Sequence, residues 1–213
     1  MNAETKRKYN SSRRKAQAQE TRKQIIDAAK DQFSTHGYSG ATIDSIAEQA
    51  SVSSETIYAV FGNKRNILSA WIDISIGGDD QPIPLMQRGG PQAVLHETDP
   101  ERVVGLFAED IAGIVERVAP VFEIMRMAAK REPEIAALLK ELLNERVKNL
   151  SMLSTHLQSL GALRPGLNET LATDSIWVIS SPEVYSLLTQ DRGWTKESYV
   201  DWLRQSLARY LLN

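Results

Sequence analysis

Residues 42–68 read TIDSIAEQASVSSETIYAVFGNKRNIL, and the organisation of the whole chain follows from them. Thr42 stands ahead of Ile43, Ile46, Ala47 and Ala50, which fall on one face of a two-turn helix with a hydroxyl at its N-cap. Such a helix is too short to persist alone, so it must pack on its neighbours. Ser51-Val52-Ser53 supplies a tight turn with one apolar residue to plug a core, and Ser53 then caps a second short helix over Ser54–Phe61. In that helix Ile57, Val60 and Phe61 are expected to point inward, leaving Ser54, Glu55, Thr56 and Tyr58 outside. Gly62 ends it, Asn63 caps the next helix, and Lys64 and Arg65 occupy its first turn. Cations are unfavourable there by the helix dipole unless an anion is close, and a DNA phosphate would be one. Two short helices joined by a three- or four-residue turn form a helix-turn-helix, whose second helix enters the major groove.

Upstream, Ile25, Ile26, Ala29 and Phe33 recur at helical spacing between Gln17 and His36, and Gly37 supplies the stop. Residues 1–15 are polar, without an apolar period, and are expected to form a flexible arm. Its charge is concentrated in Lys6, Arg7, Lys8, Arg13, Arg14 and Lys15. Residues 1–70 carry eleven Lys/Arg against seven Asp/Glu, and the rest of the chain fourteen against twenty. A basic end on a modestly acidic body suggests a polyanion partner for that end only; a solvated tail is the bland alternative.

Over these fifty or so residues the chain resembles the N-terminal domain of TetR-type (TetR/AcrR) transcriptional regulators. The resemblance is carried by Thr21, Arg22, Ile25, Ala28, Ala29, Phe33, Gly37, Thr42, Ile46, Ala47, Ala50, Val52, Ser53, Ile57, Tyr58, Phe61, Lys64 and Leu68. One departure is Ser51, where the family usually places Gly at the turn; a non-Gly residue must then accept the turn geometry, at some cost if φ is positive. The resemblance implies that Thr42, Tyr58 and Lys64 hold phosphates. Ser53, Ser54 and Thr56 offer hydroxyls to base edges or phosphates, and Glu55 is either a cytosine acceptor or a first-turn dipole partner. Arg13 and Arg14 are candidates for the adjacent minor groove. The expected nucleic-acid partner is double-stranded DNA with a palindromic operator.

Beyond Leu68 the helix continues to Gly77-Gly78. Residues 79–99 then hold Pro82, Pro84, Gly89, Gly90 and Pro91, which cannot all lie within regular helices. The expected organisation is a basic arm at 1–15, a helix-turn-helix domain with a linking helix at 16–77, and a helical effector-binding and dimerisation domain at 78–213. In the last part, helices are expected from Glu101 to Val118, from Pro120 to about Lys130, from Pro133 to Leu160, over 168–190 with a break at Pro182, and from Thr195 to Leu212. No strand alternation appears, so the fold class is all-α.

By resemblance, Phe107, Ile111, Phe122, Met125, Trp177 and Tyr185 line a cavity for an apolar or aromatic small molecule, with Arg126 and His156 as polar contacts; filling the core is the alternative for each. The last two helical stretches would pair with a second copy, with Trp177, Tyr185, Trp202 and Tyr210 as anchors of a homodimer. The absence of cysteine excludes thiolate metal sites and cysteine nucleophiles. Three scattered histidines offer no metal centre, and no glycine-rich nucleotide loop or nucleophile elbow is present, so neither cofactor, metal nor catalytic residue is expected. No apolar run approaches the roughly 20 residues of a membrane span, and the cytoplasm is the expected location. The competing reading is a helical small-molecule-binding or scaffold protein without DNA-binding activity.

Overall fold

The computed structural model describes residues 3–213, with side chains from Arg13 onward. Ten α-helices run in order: α1 Ala3–Gly40, α2 Ile43–Gln49, α3 Ser54–Phe61, α4 Lys64–Gly77, α5 Gly89–His96, α6 Pro100–Ala129, α7 Pro133–Ser159, α8 Glu169–Ile179, α9 Pro182–Ser186 and α10 Lys196–Leu211. There is no named strand among the described residues. The chain divides into two compact units, Met1–Trp71 and Ile72–Asn213, so the division falls within α4.

In the first unit α1 begins at Ala3 instead of after a flexible arm. Ala, Glu, Lys, Arg and Gln dominate this stretch and are good helix formers, so a polar helix forms without an apolar face to bury. The side chains of Lys6, Arg7 and Lys8 lie outside the described residues. At Gly37 (φ 68, ψ 171) the helical conformation is interrupted, a backbone that suits a residue without Cβ. Ile25, Ile26, Ala29 and Phe33 of α1, Ile46 of α2, Ile57 and Phe61 of α3 and Ile67 and Leu68 of α4 are buried. Phe33 stacks against Trp71 at 6.4 Å between ring centroids.

In the second unit α6 packs against α5, α7, α9 and α10, while α7 also packs on α8. The sequence suggests a helix boundary at Pro120, but α6 runs through it. Proline there removes one backbone hydrogen bond, yet Val118, Ala119, Val121 and Phe122 around it are all buried, and their packing outweighs the lost bond. Pro182, by contrast, does open a new helix, with Ser181 accepting a capping bond from the Val184 amide. No helix among the described residues is long and apolar enough to cross a membrane.

Candidate nucleic-acid interface and effector cavity

The turn between α2 and α3 is built almost entirely by capping. Thr42 and Ser45 form a reciprocal capping box at the start of α2. At its end the Ser51 amide donates to Glu48 O (3.1 Å) and the Val52 amide to Ala47 O (3.0 Å). These bonds make a Schellman motif, which requires its C′ residue to be left-handed. That residue is Ser51, with φ 55, the one non-glycine at positive φ among the described residues. The same motif closes α7 with Gly161 in the equivalent place, its amide donating to Gln158 O and that of Ala162 to Leu157 O.

Most hydroxyls on the candidate reading face are engaged inside the domain. Ser53 caps α3 by accepting from the Thr56 amide at 3.2 Å, and its hydroxyl pairs with that of Thr56 at 3.1 Å. Ser54 Oγ donates to Asp44 Oδ1 at 2.6 Å, tying α3 to α2. Glu55 is held below the usual carboxylate range by its own backbone N–H and by the Ser53 hydroxyl, a first-turn role consistent with its dipole-partner reading. Tyr58 stands out at 56% exposure. Val60 points outward at 40% exposure, whereas the sequence places it in the core; Ile57 and Phe61, one turn apart, already fill the inward face. Ala59 is exposed as well. Ala59 and Val60 are therefore exposed apolar residues of α3 that sequence reasoning missed, because an apolar side chain in an amphipathic helix is assigned inward by default.

Lys64 is stabilised at the start of α4 by protein groups: Nζ donates to Tyr38 O (2.7 Å) and Ala41 O (2.9 Å) and lies 4.3 Å from the centroid of the Tyr38 ring. Asn63 caps α4 through Oδ1, which accepts from the Asn66 amide at 2.9 Å. Arg13 and Arg14 are exposed on the helical α1.

The second unit contains a cavity of about 390 Å³. Its wall is mostly aliphatic, with contributions from α4, α6 and α7 and from the segment 81–85. Of the expected lining residues, Ile111 and Phe122 are there. Phe107 and Met125 are core residues off the cavity wall. Arg126 is ion-paired with Glu183. Tyr185 is buried with its ring edge-on to Tyr199 at 4.9 Å, which places it inside the protomer core. Trp177 lies under the Arg146 guanidinium, 5.3 Å from its ring centroid, and His156 Nε2 hydrogen-bonds Glu97 O at 2.8 Å. Among the expected dimer anchors, Trp202 packs on Trp194 and Tyr199, and Tyr210 carries Arg164 over its ring.

Two features of the cavity were not legible beforehand. Arg146 lines it, donating from Nη1 to Trp177 O (3.0 Å) and from Nη2 to the carbonyl (3.0 Å) and hydroxyl (3.1 Å) of Ser180. Arg88 pins the segment 79–88. It pairs in a bidentate fashion with Asp79 (2.9 and 3.1 Å) and donates to Gln81 O and Ile83 O. Lone arginines amid other charges give no signal of this kind until the chain folds around them.

Comparison with known proteins bears on both units. Residues 25–71 match the family model described as bacterial regulatory proteins, tetR family. SrpR from Pseudomonas putida, an HTH-type transcriptional regulator, is 46% identical over 55 residues, a match that spans 26% of this chain and 26% of SrpR. The alignment thus covers about a quarter of that relative's length. UidR from Escherichia coli K12, also an HTH-type transcriptional regulator, is 28% identical over 159 residues, covering 74% of this chain and 76% of UidR. Among solved structures, NalD of Pseudomonas aeruginosa, the secondary repressor of the MexAB-OprM multidrug efflux pump, superposes with a TM-score of 0.69 at 19% identity, covering 93% of this chain and 98% of NalD. That likeness extends the shared fold through the second unit. Taken with the capped helix-turn-helix at 42–61, these matches show that residues 25–71 form a domain of the tetR family of bacterial regulatory proteins.

Proposed function

We propose that the protein is a homodimeric, sequence-specific DNA-binding regulator of the cytoplasm, a repressor released from a palindromic operator by a small molecule bound in its second unit. The observation that carries the reading is the rigidly capped turn that presents α3 with Glu55, Tyr58, Ala59 and Val60 exposed. Tyr58 supplies a phenol to a phosphate, and the methyl groups of Ala59 and Val60 suit thymine methyls. Thr42 and Lys64 act as phosphate contacts at the starts of α2 and α4, Ser53, Ser54 and Thr56 chiefly set the reading helix, and Arg13 and Arg14 add charge beside it. No side chain of α3 offers bidentate base readout, so specificity rests on shape, on methyl contacts and on the spacing of two half-sites about 34–36 Å apart.

The effector reading rests on the cavity. Asp73, Ile76 and Gly77 at the end of α4 line it, and Lys64 begins the same helix. An effector releases DNA only if its affinity differs between the free and DNA-bound states, by typically 1–3 kcal/mol in such systems, and operator DNA must weaken the effector by the same factor. For the dimer, Leu171, Val178 and Leu187 are exposed apolar side chains, the first two on α8 with the expected anchor Trp177, and α8 packs on α10, which carries Trp202 and Tyr210. An enzymatic role has no group to carry it among the candidates above.

The test is fluorescence anisotropy of labelled DNA from the region upstream of the protein's own gene. Saturable, salt-dependent binding at two protomers per site, abolished in a Tyr58→Ala/Lys64→Ala double variant that retains its helical circular dichroism, supports the proposal. Binding indistinguishable from that to unrelated DNA at every salt concentration points to the scaffold reading.

A further inference from the structure

Arg146 is unusual among the charges that line the cavity. Arg88 is neutralised by Asp79, while Asp73 and Glu145 are exposed. Arg146 is part-buried, and its three hydrogen bonds all go to neutral acceptors, the Trp177 and Ser180 carbonyls and the Ser180 hydroxyl. No carboxylate among the described residues lies within ion-pair distance of it. The carbonyls at the end of α8 offer only the partial negative charge of a helix C-terminus, roughly half an elementary charge. A guanidinium has five N–H donors, so three bonds leave donors for a ligand.

Resting on the effector reading above, we propose that the cavity receives an amphipathic anion, its apolar body against the aliphatic wall and a carboxylate or comparable head at the Arg146 guanidinium. Ile76, Ile114, Val115, Val118 and Leu142 supply the aliphatic wall for the body, and Gln81 and Asn149 also line the cavity as neutral polar side chains. Burial lowers the Arg146 pKa to about 10, as expected for a cation without a directly paired counter-charge; the charge of Glu183, itself ion-paired with Arg126, offsets this only in part. An anionic head supplies that counter-charge and, in a site of low dielectric, makes charge-assisted bonds stronger than neutral ones. A cationic amphiphile would bring a second positive charge toward Arg146.

The experiment compares decanoate, 1-decanol and decyltrimethylammonium, each below its aggregation concentration, by calorimetry and tryptophan fluorescence on the full chain. Decanoate is expected to bind at least about tenfold more tightly than the alcohol, with the ammonium weakest. Arg146→Gln is expected to reduce decanoate to the affinity of decanol while leaving decanol unchanged. Because Arg146 also caps α8, that variant can lose its fold; the three-way comparison on the unaltered protein decides the matter without it. Equal affinities, a preference for the ammonium, or no binding by any of the three overturns the proposal. A DNA-release arm separates the two readings. Preferential decanoate binding that leaves the operator complex intact keeps the anion site and defeats induction, whereas release by a different compound with no decanoate preference does the reverse.

Discussion

Ser51 offers a sharp test of how the reading helix is held. It occupies the C′ position of the Schellman motif that ends α2, at φ 55 and exposed to solvent, and its amide donates to Glu48 O. The left-handed conformation costs an L-residue roughly 1–2 kcal/mol relative to glycine. Glycine recovers that cost but loses about 0.5–1 kcal/mol more chain entropy on folding. Ser51→Gly is therefore expected to stabilise the α2–α3 turn by about 0.5–1 kcal/mol, since no described contact of the Ser51 side chain is lost. Ser51→Ala should be close to neutral or slightly destabilising, and Ser51→Val, β-branched at positive φ, should cost about 1 kcal/mol or more. Because the two compact units need not unfold together, a global melt would blur the effect. Amide exchange over residues 43–61 isolates it: the opening equilibrium should fall about two- to fivefold in the glycine variant and rise in the valine variant. Faster exchange with glycine than with serine, or an unchanged rate with valine, would show that the motif does not govern the turn.

Two further predictions concern the charged segments. Replacing Arg88 with Gln removes the bidentate contact to Asp79 and the bonds to Gln81 O and Ile83 O, so amide exchange over 79–87 should accelerate at least about tenfold while α2 and α3 are unaffected. Asp79 is held below its ordinary pKa first by the Arg88 hydrogen bond and then by the Gln81 amide, so this stabilisation is present above the ordinary carboxylate pKa and is lost as pH falls through the lowered one. The exchange contrast between wild type and Arg88→Gln should thus shrink in acid; a contrast that grows there contradicts the assignment. Separately, Arg13→Ala/Arg14→Ala should reduce the slope of log affinity against log salt by up to about two on operator DNA, and an unchanged slope removes these residues from the interface.

What the sequence determined by itself was the first unit and the class of the whole. Thr42, Ser53 and Asn63 act through bonds that span three residues, and Ile25, Phe33, Ile46, Ile57 and Phe61 repeat at helical spacing, so local chemistry carries both the helix ends and the buried face. The polar helix from Ala3 was the exception, because helix propensity without an apolar face gives no periodic signal. The tertiary structure decided everything that depends on partners distant in the chain. It ran α6 through Pro120 because burial on both sides outweighs one missing hydrogen bond. It turned Val60 to solvent, used the hydroxyls of Ser53, Ser54 and Thr56 within the turn, and set Lys64 on the carbonyls of Tyr38 and Ala41. In the second unit, aromatic residues identical in composition divide between core and cavity according to which helix crosses which, and Arg146 meets the end of α8 across 31 to 34 positions of sequence. Periodicity reports which face of a helix is covered; only packing determines what covers it.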